Sequence, residues 1–371
     1  MGAGRGPVET LVTMLRDVRG ARVLITGHTG FKGSWLVEWL LGHGAQVYGY
    51  ALEPAWTSSL FEVRRLADRM HHTAGDIRNA EQLQAVIRRA EPEWVVHLAA
   101  QPLVRRSYRE PVLTWETNVM GTWHLLEALR TVQAPRAVVI VTTDKVYRNV
   151  ESPVGYRETD DLGGHDPYAA SKAACELAVA SWRASYGEAR GIRVATARAG
   201  NVLGGGDWSE DRILPDCYRA WARGEPVRLR HPEATRPWQH VLEPLSGYLA
   251  LAHAMASDAQ APAAVNFGPD AEAHLAVGTL VDRLARASGT AGWIPSPAGP
   301  EGSMHETRHL ALDTTLARTR LGWSPRLSTD QLISWTAEGY ASLGASVSHY
   351  VERQLADYES LGVETTPVAK P

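Results

Sequence analysis

Cysteine is scarce in this chain of 371 residues, with only Cys175 and Cys217 present. Two thiols cannot build a disulfide framework or a four-ligand zinc site, so the chain reads as a protein of a reducing, cytoplasmic compartment with no structural metal. Charge of one sign is lacking too. With 38 Lys and Arg against 41 Asp and Glu the formal net charge is -3, which leaves no basic stripe to release counterions from a nucleic acid. No apolar run approaches the ~18 residues of a membrane span. The first twenty positions, broken by Arg5, Glu9, Arg16, Asp17 and Arg19, lack the apolar stretch of a signal peptide. Phenylalanine is rare as well, three residues against thirteen tryptophans. Indole brings no acid–base chemistry, and Trp35, Trp39 and Trp123 recur at helical spacings that suit core packing. What remains is 44% apolar, enough to bury a sizeable core without cross-links.

Through the first half, apolar runs of strand length alternate with helical patterns. Arg22–Thr26, Ala45–Tyr50, His71–Ala74, Trp94–Leu98, Ala137–Thr142 and Arg193–Arg198 read as strands. Between them Ser34–Gly42, Leu60–Arg69, Glu81–Ala90, Val112–Thr131 and Tyr168–Tyr186 read as helices. Such a series builds a doubly wound parallel sheet. After Gly200 the pattern loosens into glycine-, proline- and arginine-rich stretches, as ligand loops and a smaller lobe would. Leu242–Ala256 and Val265–Gly268 then return to the main sheet, so the two lobes are interleaved. Gly289–Gly302 reads as a surface loop and Thr366–Pro371 as a frayed tail.

The first strand runs into Gly27-His28-Thr29-Gly30-Phe31-Lys32-Gly33 and then directly into a helical run. Glycines at this spacing let the backbone approach a pyrophosphate resting on the amides of the following helix. The acid that normally grips the adenosine ribose is missing from the end of the second strand, where Glu53 is the nearest carboxylate. No arginine between Arg22 and Arg64 is available for a 2'-phosphate, which favours NAD over NADP. Asp76, after the third strand, is placed either to reach the adenine or to serve as a helix N-terminal acid. A second constellation is Tyr168-Ala169-Ala170-Ser171-Lys172, whose spacing of four puts phenol and ammonium on one helical face. There the lysine charge would lower the phenol's pKa, and the pair implies hydride transfer from a secondary alcohol to a nicotinamide. Thr143, Asp144 and Lys145 end the fifth strand, at the crevice edge of an open α/β sheet.

These residues carry a resemblance. Thr143-Asp144-Lys145, with His28 and Lys32 inside the glycine turn, resembles the nucleotide-sugar 4,6-dehydratases of the extended short-chain dehydrogenase/reductase superfamily, and among them the branch acting on CDP-glucose. The likeness continues through His97–Tyr108, Gly163–Tyr168, Arg198–Val202, Gly205–Trp208 and Thr235–Val241. Val146 departs from it, standing where the family has Cys, and Trp293–Glu306 matches loosely. The resemblance implies a lyase with a doubly wound parallel Rossmann sheet and a smaller, interleaved substrate-binding lobe. Residues 1–20 would be an extension ahead of the family's usual start, 21–200 the NAD-binding domain, and 201–241 with 269–330 the substrate lobe. Residues 242–268 would return to the Rossmann domain, and 331–371 would form C-terminal helices and a tail.

The resemblance further implies that NAD is held by the turn from Gly27 to Gly33, by Asp76, Ile77, Leu98 and Ala99, and by Tyr168 and Lys172. Tyr168 would act as base in oxidation of C4, tuned by Lys172, with Thr143 bonding the 4-oxygen. Asp144 would be the acid at C6, its carboxyl raised by burial. Lys145 would either remove the C5 proton, its amine depressed by burial and by Lys172, or stay charged and support the enolate. Gln101, Asn201, Arg212 and Arg236 would hold the nucleotide-sugar, Arg236 as a pyrophosphate clamp. The superfamily's usual homodimer would pair Thr117–Arg130 (Val119, Trp123, Leu125, Leu126, Leu129) and Tyr168–Tyr186 with their mates. The rival reading is a nucleotide-sugar 4-epimerase, which has no use for Asp144-Lys145, or a dehydratase of another nucleotide-sugar. A non-catalytic NAD-sensing protein would commonly have lost Tyr168 or Lys172.

Overall fold

The computed structural model describes residues 7–133, 135–152, 154–296, 310–342 and 346–361. Its centre is a seven-stranded sheet of β1 (Arg22–Thr26), β2 (Gln46–Ala51), β3 (His71–Ala74), β4 (Trp94–His97), β5 (Ala137–Val141), β6 (Val194–Ala199) and β7 (Ala264–Phe267). The order is β7-β6-β5-β4-β1-β2-β3, and every neighbour pair is parallel. Helices cover both faces, so the central strands are apolar without alternation; all five residues of β5 are buried. The strand order reverses between β1 and β4, which opens a crevice at the carboxyl ends there.

One face of the sheet is packed by Phe31–Gly42, Leu242–Ser257 and Val347–Ser360, around Trp35, Trp39, Tyr248 and Tyr358. The other is packed by Ala80–Ala90, Gly121–Leu129 and Pro167–Trp182, around Leu83, Leu125, Val179 and Trp182. A separate apolar core belongs to the smaller lobe, where the helices Ile213–Trp221, Val277–Ser288 and Thr329–Ala341 bury Leu214, Trp221, Leu280, Leu284, Leu332 and Ile333.

Four sequence readings need revision. The first twenty residues are more than an extension: Pro7–Asp17 is a helix whose Leu11, Met14 and Leu15 join the main core beside Leu242–Ser257. The boundary at residue 330 falls inside the helix Thr329–Ala341, which belongs to the small lobe because Leu332, Ile333 and Ala337 are buried there. In the supposed loop Gly289–Gly302, Trp293–Pro295 is a short strand parallel to Val227–Leu229; residues 297–302 lie outside the described residues, as do 297–306 of the loosely matching stretch and the tail Thr366–Pro371. Finally, Leu60–Arg69 is two short helices, Leu60–Val63 and Leu66–Arg69, broken by Arg65 at φ 49°.

The N-terminal helix yields a test. Leu11→Ala and Leu15→Ala should each lower the unfolding free energy by about 2–4 kcal/mol, as for other buried leucines. Urea denaturation measures it, and losses under about 0.5 kcal/mol would mark the helix as an appendage.

Candidate active site

The turn after β1 is built for close approach by another molecule. Gly27 has φ 76°, and a Cβ there would lie 2.6 Å from the Ala99 nitrogen. At Gly33 a Cβ would lie 2.3 Å from the Gly27 oxygen and 2.6 Å from the His28 α-carbon. Helix Phe31–Gly42 starts at this turn behind Gly30, a cap without a side chain, so its first amides face the crevice as an anion site. The turn therefore fits a dinucleotide pyrophosphate.

From the turn to the small lobe runs one continuous cleft of about 1410 Å³, more than the ~300–1,000 Å³ of a pocket for a single ligand. Gly27, Thr29, Gly30, Phe31, Lys32, Gly33, Asp76, Ile77, Leu98 and Ala99 line its cofactor end. Gln101, Thr143, Asp144, Lys145, Tyr168, Lys172, Asn201, Arg212 and Arg236 line the remainder. Of the residues expected to hold NAD, His28 is the exception. Its side chain turns away from the cleft and stacks edge-on against Phe61 and His72, with Nε2 2.7 Å from His72 Nδ1. It fits because the facing residue of β2 is Gly49, where a Cβ would meet the imidazole at 2.5 Å. Glu53 is exposed and also lies off the cleft. Asp76 is gripped by Arg78, whose Nε and Nη2 donate to its Oδ2 at 3.0 and 2.6 Å, and this holds its carboxyl below the ordinary range.

Tyr168 and Lys172 stand on the helix Pro167–Trp182, whose start is fixed by the Asp166 side chain accepting from the Ala169 amide at 2.8 Å and by Pro167 in the first turn. The Tyr168 amide donates to Ser107 Oγ at 3.1 Å. Lys172 is buried, and its Nζ donates to the Val141 carbonyl at 3.0 Å, where β5 ends. Thr143 follows, donating its hydroxyl to Asp144 Oδ1 at 3.0 Å. Lys32 reaches the same cavity and donates to the Tyr248 hydroxyl at 3.1 Å.

The electrostatics differ from the sequence reading in two respects. Burial pushes the Tyr168 phenol up to about 12; Arg212 and the neighbouring Thr143 hydroxyl oppose this, while Asp144 and Asp166 add to it. The spacing of four with Lys172 therefore does not by itself lower the phenol. Burial, then Arg212 and Arg236, favours the neutral form of Lys145 against the pull of Asp144 and Asp166; these arginines, and not Lys172, are the cations that act on it. Lys32 is brought down to about 7, chiefly by burial. Gln101 lines the cleft, but its side chain closes a loop, bonding Leu103 N at 2.7 Å and Thr114 Oγ1 at 2.8 Å. Arg212 donates to the Pro102 carbonyl at 3.0 Å and Arg236 to the Thr235 carbonyl at 2.9 Å.

Two features of the cleft wall, Asp166 and Arg105, and one side chain behind it, Tyr248, escaped the sequence reading. Asp166 was legible as an Asp-Pro helix start. Arg105, paired with Asp211 at 3.2 Å, and Tyr248, on a helix far along the chain, carried no local signal.

A family model described as GDP-mannose 4,6-dehydratase matches residues 24–336. The chain belongs to this nucleotide-sugar 4,6-dehydratase family. Over 351 residues, 92% of this chain and 97% of the relative, the dehydratase is 43% identical to CDP-glucose 4,6-dehydratase of Salmonella typhimurium. It is 30% identical to dTDP-glucose 4,6-dehydratase of Streptomyces griseus over 86% of this chain and 93% of that one. Among solved structures, UDP-glucose 4-epimerase of Thermus thermophilus in complex with NAD superposes with a TM-score of 0.73 at 27% identity, covering 87% of this chain and 99% of that one. The dehydratase shares its fold with an epimerase of Methanothermobacter thermautotrophicus at TM-score 0.77 and 21% identity, covering 94% and 98% of the two chains.

Buried histidines make the dehydratase acid-sensitive. His28, His97 and His240 are all held from 6.5 down to about 3 by burial, with His72 adding at His28 and Lys172 at His97. Below pH 6.5 the unfolded chain takes up protons that the folded chain refuses, so their stabilisation is complete above that pH and is lost towards about 3. Each histidine contributes a slope of up to about 1.4 kcal/mol per pH unit. Urea unfolding from about pH 7.5 to about pH 5 should lose several kcal/mol; a flat profile would contradict the burial argument.

Proposed function

We propose that this enzyme converts CDP-D-glucose to CDP-4-keto-6-deoxy-D-glucose, with NAD resident at the glycine turn. The observation that carries this reading is the sequence Thr143-Asp144-Lys145 facing the same cleft as Tyr168 and Lys172. An epimerase needs the phenol and the threonine but has no work for a neighbouring acid and base. The 43% identity to a CDP-glucose 4,6-dehydratase supports the choice of nucleotide.

Bound NAD supplies a hydride acceptor that is regenerated in each turnover, and a positive ring charge that opposes the burial raising Tyr168. The Tyr168 phenolate oxygen takes the proton of the C4 hydroxyl, and Thr143 Oγ1 holds the 4-oxygen. A ketone at C4 acidifies the C5 proton. Lys145 Nζ removes that proton, a role its lowered proton affinity favours. Asp144 protonates the departing C6 hydroxyl, and water leaves; return of the hydride to C6 and addition of a solvent-derived proton at C5 then reduce the C5–C6 double bond to the 4-keto-6-deoxy product. Arg212 and Arg236, from opposite stretches of the small lobe, bind the diphosphate, and Asn201 lies beside the sugar. Lys172 Nζ, anchored on the Val141 carbonyl, orients the nicotinamide ribose against the end of β5.

The enzyme works in the cytoplasm as a homodimer. Among the described residues no helix is long and apolar enough to cross a membrane, and both cysteines are buried and unpaired. Of the interface residues named from sequence, Leu125, Leu126 and Leu129 face the sheet core instead. The exposed apolar face consists of Trp115, Met120 and Leu177, and a second copy of the chain would cover it. Wild type should sediment at twice the 40.5 kDa chain mass, and Leu177→Asp should shift it to monomer; a monomeric wild type at micromolar concentration would refute the dimer.

The reaction is tested by incubating the enzyme with CDP-, UDP-, dTDP- and GDP-hexoses without reductant. CDP-glucose should lose one water and gain solvent hydrogen at C5. A product of unchanged mass with inverted C4 would establish the epimerase instead. Tyr168→Phe should reduce turnover by about 10²–10⁴-fold at the oxidation step. Lys145→Ala should still oxidise C4 while C5 exchange with solvent deuterium collapses; rescue of exchange by Lys145→Arg would refute Lys145 as base, since arginine keeps its charge and its protons.

A further inference from the structure

Gly200 follows β6 and lines the cleft opposite Asp144. A Cβ built there would lie 2.3 Å from Asp144 Oδ2 and 2.9 Å from its Cγ, and its three nearest neighbours all belong to that side chain. The backbone does not demand glycine, because Gly200 is not among the residues with left-handed φ. The space a side chain would take is filled by the Asp144 carboxylate itself. Asp144 is 3% exposed; its Oδ1 accepts from Thr143, whereas Oδ2, the atom packed against Gly200, has no hydrogen-bond partner. A buried carboxylate oxygen without a donor is costly, and at a reaction centre such an unsatisfied group points to a role in the chemistry.

We propose that Gly200 is a positioning residue for elimination: by leaving room for the Asp144 carboxylate against the end of β6, it seats Asp144 where its proton reaches the C6 hydroxymethyl group of the sugar. The inference rests on the reading of Asp144 as the acid. From that seat, the Asp144 proton passes to the C6 oxygen as the C6–O bond breaks. Lys145 takes the C5 proton, and the C5–H electron pair forms the C5–C6 double bond. Water departs, leaving a carboxylate and an ammonium. Oxidation at C4 does not use the Asp144 proton, so a nucleotide-linked pentose without C6 is indifferent to the seat.

The test is Gly200→Ala, whose methyl meets only the end of a side chain and should leave the fold intact. With CDP-glucose, kcat for water loss should fall about 10²-fold, as for other small misplacements of a reacting group, with KM unchanged. Oxidation of CDP-D-xylose, followed by absorbance of the reduced nicotinamide, and CDP affinity by calorimetry should match wild type. In an Asp144→Asn background the alanine should cost nothing further. Wild-type water loss, equal losses for the hexose and the pentose, additive losses in the double variant, or failure to fold would each overturn this role of Gly200. If wild type itself does not dehydrate CDP-glucose, the proposed reaction fails, and the role of Gly200 with it.

Discussion

The floor of the cleft hangs on one buried ion pair. Glu176 and Arg198 meet at 2.8 Å with side chains only 3% and 4% exposed. Glu176 sits one turn beyond Lys172 and also accepts from Thr142, at the end of β5, and from Thr196 on β6. Arg198 donates to the Tyr147 hydroxyl, which donates in turn to Asn266 of β7. The helix bearing Tyr168 is thereby registered against the strand that delivers Thr143 and Asp144. Two charges out of water are costly unless their remaining bonds are made; here those of Glu176 and of both terminal nitrogens of Arg198 are made, by the elements that must not slide, and Arg198 Nε is left without a partner.

Above that floor the cleft concentrates cations. Lys32, Lys145, Lys172, Arg212 and Arg236 line it, and both Lys32 and Lys145 are moved toward neutrality by burial and by the arginines. An anionic diphosphate entering such a site meets both a favourable field and lysines whose charge depends on it. Substrate binding and lysine protonation are therefore linked in this site.

Much of this was legible beforehand, for physical reasons. A strand covered on both faces must be apolar throughout, so Ala137–Val141 announces itself, and a backbone that must admit a pyrophosphate needs glycines at fixed offsets. The failures are equally physical. Whether His28 faces the ligand or the core depends on Gly49, which lies on another strand. The proton affinities of Tyr168 and Lys145 are governed first by burial, which spacing on a helix does not encode, and at Lys145 also by arginines far along the chain. The strand Trp293–Pro295 exists only because Val227–Leu229 offers it an edge, a pairing that no local composition reveals. The glycine at 200 falls in the same class: its meaning lies in the carboxylate across the cleft.

The chain alternates between its two bodies. After Val227–Leu229 has joined the small lobe, the chain returns for Leu242–Ser257 and β7, departs for Val277–Ser288, returns with Thr315–Leu321, departs again for Thr329–Ala341, and comes back for Val347–Ser360. No contiguous gene fragment encodes either body. Recombining relatives with a single crossover near Gly200, in the hope of exchanging nucleotide preference, would also import a foreign edge strand, separating Asn266 from Tyr147 and Phe267 from its native sheet partner Ala199. A working hybrid needs several crossovers, placed at the joints where the chain changes bodies.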